Sequence, residues 1–326
     1  MKVKWGVLGT ANIAKNCTIP GMQLADSCEL YAIAGRSMDK ARAYQKEFGF
    51  AKAYGGYDEL LDDSEVQAVY IPLPNDLHKK WVMEALEKKK HVLCEKPLAL
   101  NEDEAKEMFA CAQRNGVYLM EAYAYQHSPY VKSLKKDLAD GVIGEVDYIE
   151  SAFLTQCYKN DIRLHKAQGG GAMYDLGCYC TTMILSLIES DPIFVKAVGE
   201  ISGDDVDYMT TALIKFSNGV RASFNVGMTL GEDTDDRYDR LYIHGSKGSI
   251  ISYVEYNQAG EVSYEIHTND GIIQRKVTVP QNYSLEIEQL SKCVLKEDIP
   301  FITPEFSMKN LRLMDKIFDE IGYYIR

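Results

Sequence analysis

The sequence predicts an α/β protein: a Rossmann-type, doubly wound parallel sheet followed by an α+β domain on a large, mainly antiparallel sheet. Three observations carry this. Up to residue 121, short apolar β-rich runs alternate with helical patterns, the order that builds a parallel sheet. From about Gly144 strand-like runs follow one another, with turn signals between them. Asn218–Gly219, between two of those runs, is a two-residue hairpin turn, because both residues tolerate positive φ. At 326 residues there is room for two domains, 1–121 and 122–326.

Composition narrows the function. A hydrophobic share of 46% suffices for two cores, and a net charge of -12 argues against a nucleic-acid partner, whose phosphates need a basic field. The run Trp5–Gly6–Val7–Leu8 after Met1 is too short for a signal-peptide core or a membrane span, so a cytoplasmic protein with no membrane partner is expected. The eight cysteines have no framework spacing and read as reduced, buried small hydrophobes. Neither they nor the six histidines show paired metal spacing, so no metal site is expected.

Lys4–Leu8 reads as the first strand, followed by the turn Gly9–Thr10–Ala11–Asn12–Ile13 and a helix to about Met22. A strand, a small-residue turn and a helix N-terminus suit a dinucleotide pyrophosphate, although Gly-x-Gly-x-x-Gly appears here as Gly-x-Ala-x-x-Ala. Leu30–Ala34 is the second strand and Asp39–Phe48 its helix. Where an NAD site wants a carboxylate, the strand end carries Arg36 and Ser37, a guanidinium and a hydroxyl that suit a 2′-phosphate. NADP is therefore the expected cofactor, with Asp39 near enough to leave NAD open.

Ala68–Ile71 is the third strand, and Pro72 and Pro74 force an extended loop, with Asn75 or Asp76 placed to cap a helix to about Glu87. Pro72, Leu73, Asn75 and His78 stand at this strand end and are expected on the cofactor side. Lys88–Lys90 read as a helix end, where cations offset the dipole. The fourth strand, from His91, stops at Glu95–Lys96–Pro97; proline holds Lys96 on extended backbone, at the carboxyl end of a strand, where such sheets bind ligands. Asn101 and Glu104 form a capping box for a helix closed by Gly116, and Tyr118–Glu121 adds a strand.

The second part holds eight runs: Glu145–Thr155, Ile193–Val198, Asp207–Phe216, Val220–Met228, Arg240–His244, Ser249–Asn257, Glu261–Thr268 and Ile272–Val279. Three long helices are available to cover them: Ala172–Glu189, Tyr283–Leu295, and one opening at Pro304 behind a Thr303 cap. Helices on one face leave the other bare, so a homodimer, or a dimer of dimers, is expected. Gly169–Gly170–Gly171 turn the chain into a helix on which Asp175 and Tyr179, four apart, share a face. Gly177 within that helix marks a place where something comes close.

Tyr70–Trp81, His91–Pro97 and Gly169–Tyr179 together resemble the family of glucose–fructose oxidoreductase, inositol dehydrogenase and the rhizopine-catabolism (MocA) proteins. Tyr at 179, where many members have His, is similar to the branch of NADP-dependent xylose dehydrogenase and dimeric dihydrodiol dehydrogenase, as is Arg163. The resemblance implies a nucleotide-binding domain, a substrate-binding and oligomerisation domain, and an active site between them. It also implies hydride transfer between nicotinamide and a sugar, polyol or trans-dihydrodiol, with Lys96, Asp175 and Tyr179 catalytic, Arg163 also substrate-binding, and Glu95 and Lys96 beside the cofactor. A free tyrosine with a pKa of about 10 needs a shift of roughly three units to act as base at neutral pH. The Lys96 ammonium and the nicotinamide charge favour the phenolate, although Lys96 itself is the other candidate proton carrier. A dinucleotide sensor without turnover is the competing reading; Lys96, Asp175 and Tyr179 together favour the enzyme.

Overall fold

In the computed structural model, which describes all residues except 160, 204, 232–236, 254–255, 257–258 and 326, the first sheet has six strands. They are β1 (Val3–Leu8), β2 (Cys28–Ala34), β3 (Lys52–Tyr54), β4 (Ala68–Ile71), β5 (His91–Glu95) and β6 (Leu119–Ala122), in the order β3-β2-β1-β4-β5-β6. Every pairing is parallel. The order reverses between β1 and β4, so a crevice opens at the carboxyl ends of those two strands. Val7, Val69–Ile71 and Val92–Cys94 are fully buried, as continuous apolar runs are when both sheet faces are covered.

A π-helical turn (Ala14–Thr18) leads into α1 (Ile19–Leu24); α2 (Met38–Phe48), α3 (Tyr57–Asp62), α4 (Asn75–Glu87) and α5 (Glu102–Asn115) follow. The short β3 and α3 carry no periodic signal and were not expected. Asn101 caps α5 by accepting the Glu104 N–H (2.9 Å), and Gly116 closes it in the left-handed region. The expected cap at Asn75 or Asp76 is absent: α4 begins at Asn75, behind Pro74, with no side-chain cap. Lys90 does not sit in solvent at a helix end either. It is buried and donates to the carbonyls of Asp63 (2.7 Å) and Val66 (2.8 Å).

The second sheet has eight strands: β7 (Val146–Gln156), β8 (Pro192–Ile201), β9 (Asp207–Phe216), β10 (Arg221–Leu230), β11 (Arg237–Gly245), β12 (Gly248–Ser252), β13 (Gly260–Thr268) and β14 (Gly271–Val279). Their order is β14-β13-β12-β11-β7-β10-β9-β8, antiparallel except where β7 meets β10. β12 stops at Ser252, and positions 254, 255 and 257 of the expected strand lie outside the described residues. Register sorts the two faces. Ile149 pairs with Ala222 and Ile243, and Phe224 with Ala212; all are buried. Leu213 stands opposite Lys196 on the other face, where Val198 also lies; Val198 is 78% exposed and Leu213 57%.

α6 (Pro129–Ala139) packs on β14, and α7 (Cys178–Leu187) packs on β7 and β10. The sequence reading missed α6, although Ser128 caps it through the Tyr130 N–H (3.1 Å) and Pro129 opens it. α8 (Asn282–Val294) does not cover this sheet as expected. It packs on α1 and β2 and accepts the buried Trp5 indole N–H at Ser291 (3.0 Å), an anchor with no local sequence signal. The contacts thus divide the chain into Met1–His127 with Pro280–Met308, and Ser128–Val279 with Lys309–Arg326. α9 (Pro304–Ile321) opens behind Thr303, which accepts the Phe306 N–H, and its Asn310 accepts from Thr181 of α7 (2.6 Å). No helix among the described residues is long and apolar enough to cross a membrane.

Candidate active site

Gly9 ends β1 at φ +130°, a conformation side chains rarely adopt, and a Cβ there would stand 3.1 Å from Leu73. Its N–H bonds back to the Ala34 carbonyl (2.9 Å), so the turn is held open by the sheet itself. Beside it lies a cleft of about 430 Å³. Of the expected cofactor residues, Gly9, Thr10, Ala11, Arg36, Ser37, Pro72 and Leu73 line it. Asn12 and Ile13 lie in the helical turn behind it and Asn75 opens α4, all outside the lining.

His78 does not face the cleft. It is fully buried and outside the lining, with its ring nitrogens 2.8 Å from the Pro97 and Leu73 carbonyls. Burial pushes its imidazole pKa down. Three residues that the sequence reading missed complete the lining: Lys40, Tyr57 and Pro74. Lys40 was detectable, since it stands one turn into α2 and gives its N–H to the Ser37 cap (3.4 Å). That places a second cation near Arg36.

Lys96 follows β5 directly and is partly buried, while Glu95 is buried at 9%. Glu95 accepts the Tyr70 hydroxyl at Oε1 (2.5 Å) and the Lys96 N–H at Oε2 (3.3 Å). Glu121 accepts the Leu98 N–H (2.8 Å), and burial pushes its carboxyl up to about 7. The loop bearing the lysine is thus fixed by carboxylates on both sides.

In the second unit the glycines make room for the chain itself. A Cβ on Gly170 would lie 2.5 Å from the Arg163 carbonyl, and one on Gly171, at φ +108°, 2.0 Å from Asp207 Oδ1. Asp207 is fully buried and accepts the Met173 N–H (2.8 Å) and the Thr210 hydroxyl (3.1 Å), pinning the start of the following helix. Burial raises its carboxyl to about 7. The helix opens with a second π-helical turn, Met173–Gly177. What comes close at Gly177 is the Met173 side chain, 2.5 Å from where a Cβ would be.

Asp175 and Tyr179 lie on this run. Asp175 accepts from Arg163 Nε (2.6 Å), whose Nη1 also reaches Asp161 (3.0 Å). Tyr179, 8% exposed, packs with its ring centroid 5.6 Å from Phe153 and 5.1 Å from Tyr256. Arg237 stacks over Phe153 (4.4 Å) and pairs with Asp239 (2.6 Å). The structure therefore joins Arg163 to Asp175 as expected and adds an aromatic wall, Phe153 and Tyr256, that no local pattern announced. Chemically the two units hold a cationic, small-residue cleft, a lysine on fixed backbone, and a tyrosine and an aspartate on one helical run.

Residues 3–123 match an oxidoreductase family, Gfo/Idh/MocA, with an NAD-binding Rossmann fold, and residues 131–251 match the C-terminal domain of the same family. The chain is 28% identical to a trans-1,2-dihydrobenzene-1,2-diol dehydrogenase of Xenopus tropicalis, over 99% of each. It is 29% identical to an NADP(+) D-xylose 1-dehydrogenase of Haloferax volcanii, over 97% of this chain and 96% of that one. Its fold superposes on KijD10, a 3-ketoreductase from Actinomadura kijaniata solved with NADP and TDP-benzene, with a TM-score of 0.92, 29% identity and 98% of each chain covered.

Proposed function

The chain belongs to the Gfo/Idh/MocA family of oxidoreductases with an NAD-binding Rossmann fold, and from that premise we propose that it is an NADP(H)-dependent dehydrogenase or reductase of a sugar, polyol or trans-dihydrodiol. The observation that carries the cofactor is the cleft. Arg36, Ser37 and Lys40 line it where β2 ends, two cations and a hydroxyl where a 2′-hydroxyl would call for a carboxylate. Gly9 and Ala11 leave the backbone accessible to a pyrophosphate at the start of the following helical turn. The residues present fit NADP.

The nicotinamide, when bound, gives or takes the hydride. Oxidation of a carbinol also needs the hydroxyl proton removed, and we assign that to the Tyr179 phenolic oxygen. Lys96 favours the phenolate by its charge. Asp175, held by Arg163, orients the substrate. Phe153 and Tyr256, packed around Tyr179, offer an apolar wall of the kind that suits a carbon ring. We further propose that the protein works as a homodimer in the cytoplasm, with residues 1–121 serving the nucleotide and 122–326 the substrate and assembly.

The test is a panel of aldoses, polyols and trans-dihydrodiols, each offered with NADP and with NAD. Turnover of one class with a preference for NADP is expected; binding of NADP without turnover of any member would leave the sensor reading in its place.

A further inference from the structure

Behind Lys96 the first unit holds a line of polar side chains that the reaction above does not use. Thr18 Oγ1 donates to the Tyr70 hydroxyl (2.9 Å), Tyr70 donates to Glu95 Oε1 (2.5 Å), and the Lys96 N–H donates to Glu95 Oε2 (3.3 Å). The direction is forced, because a carboxylate only accepts: Tyr70 spends its one proton on Glu95 and takes its other bond from Thr18. Thr18 closes the π-helical turn behind Gly9–Ile13, Tyr70 lies in β4 and Glu95 ends β5. Thr18 and Tyr70 are fully buried. Packing alone would be served by apolar side chains, since buried polar groups are costly unless every partner is present.

We propose that Tyr70 is the positioning residue of Lys96. Through Glu95 it fixes the backbone from which the lysine leaves the sheet, and through Thr18 it ties that backbone to the helical turn following the cofactor-side glycine. This rests on the reading of Lys96 given above.

The titratable groups around this line are Cys94 and Glu95 on β5, His78 on α4, Glu121 on β6, Cys17 beside Thr18, and Glu286 on α8. Glu286 is fully buried, with neither carboxyl oxygen hydrogen-bonded, and burial with the Glu95 charge raises it well above the carboxylate range. Glu95 accepts at both oxygens, from the Tyr70 hydroxyl and the Lys96 N–H. Removing the Tyr70 hydroxyl would leave the charge on Glu95 less dispersed, which favours the Lys96 ammonium.

Tyr70→Phe keeps the ring and removes the donor, and Thr18→Val does the same one step back. In the NADP complex, after reductive methylation with labelled formaldehyde, the Lys96 dimethylamine resonance reports the lysine's titration midpoint; Lys96→Arg assigns it by its loss. Both variants should retain NADP affinity and move that midpoint upward, by about half a pH unit or more in Tyr70→Phe. In the unmodified enzyme kcat should fall about tenfold, as for one lost hydrogen bond, with substrate KM little changed. Thr18→Ser, which keeps a donor, should restore wild-type values. An unmoved midpoint in both variants overturns the proposal, whatever kcat does, and Thr18→Val decides alone if Tyr70→Phe does not fold. Full turnover by Lys96→Met would instead remove the catalytic reading of Lys96, and a shifted midpoint in Tyr70→Phe would still support the tie.

Discussion

Arg163 donates through Nε to Oδ2 of Asp175 at 2.6 Å, with side-chain exposures of 34% and 15%. Its Nη1 is engaged by Asp161, and its guanidinium lies over the Tyr158 ring, 4.7 Å from the centroid. The Asp175 charge is the main reason its pKa is raised. Arg163 is thus ion-paired to both Asp161 and Asp175, and the prediction is that it acts through Asp175. Arg163→Met and Asp175→Asn should therefore each lower kcat/KM by about 10- to 100-fold, the range of one lost charge-assisted hydrogen bond. The double variant should be little worse than either, because the residues act as one unit. Fully additive losses would show that they serve separate purposes.

The cleft makes a separable prediction about cofactor choice. Arg36→Ala and Lys40→Ala should each raise the KM for NADP by about 10-fold or more while changing that for NAD little, since each removes a charge aimed at the 2′-phosphate. Steady-state kinetics with both cofactors at saturating substrate decide it. Parallel losses with NAD and NADP would mean that the cations shape the cleft without reading the phosphate.

Most of this architecture is legible because it follows from local chemistry. The apolar runs of β1, β2, β4 and β5 and the Asn101 cap are each written within a few residues. Asn218–Gly219 marks the right hairpin but not its form: the loop has three residues, closed by the Phe216 N–H on the Val220 carbonyl (2.8 Å), and only Gly219 takes positive φ. What sequence alone hides is pairing at long range. Nothing near Trp5 announces Ser291, and nothing near Gly171 announces Asp207. The glycine run reads as a turn into a helix, but not as the close approach it makes to the Arg163 carbonyl and the Asp207 carboxyl. His78 illustrates the same limit: nothing near it in sequence announces the Pro97 carbonyl, 2.8 Å from its buried ring.

Asp207 gives a stability prediction with a definite sign. Burial raises its carboxyl from an ordinary 3.8 to about 7 in the folded protein. Between those values the folded form holds a proton that the unfolded chain has released, so stability falls as pH rises through that window and levels off above it. The contribution is at most about 4 kcal/mol, from roughly three pH units. Asp207→Asn mimics the protonated acid. It should match the parent protein in melting temperature only below about pH 4, at the lower end of that window, and exceed it by a growing margin up to about pH 8. A variant less stable than the parent at pH 8 would show that the carboxylate itself is needed at the Met173 N–H.

The open face of the second sheet predicts assembly. Val198 and Leu213 stand on it, and Ile272 at its far edge is 64% exposed. Covering such a face with a second copy is the expected outcome. Sedimentation at micromolar concentration should give a dimer, and Val198→Asp with Leu213→Asp should give a folded monomer with unchanged NADP affinity. A monomeric parent protein would contradict it.

Lys96 and Tyr179 carry the last prediction. If the lysine charge favours the phenolate, Tyr179→Phe should abolish most of kcat while leaving NADP affinity intact, because the phenolic oxygen is required only when the proton moves. Lys96→Met should also cut kcat severely and move the remaining activity to higher pH, since the phenol then ionises without a neighbouring cation. The double variant should be little slower than the slower single one, as groups acting in one step are not additive. NADP titration of each variant separates lost chemistry from lost binding. Near-full activity in Tyr179→Phe would reduce that ring to packing against Phe153 and Tyr256, and would pass the proton to the Lys96 amine. In that case Lys96→Met would lose activity at every pH, without the alkaline recovery that the tuning role requires.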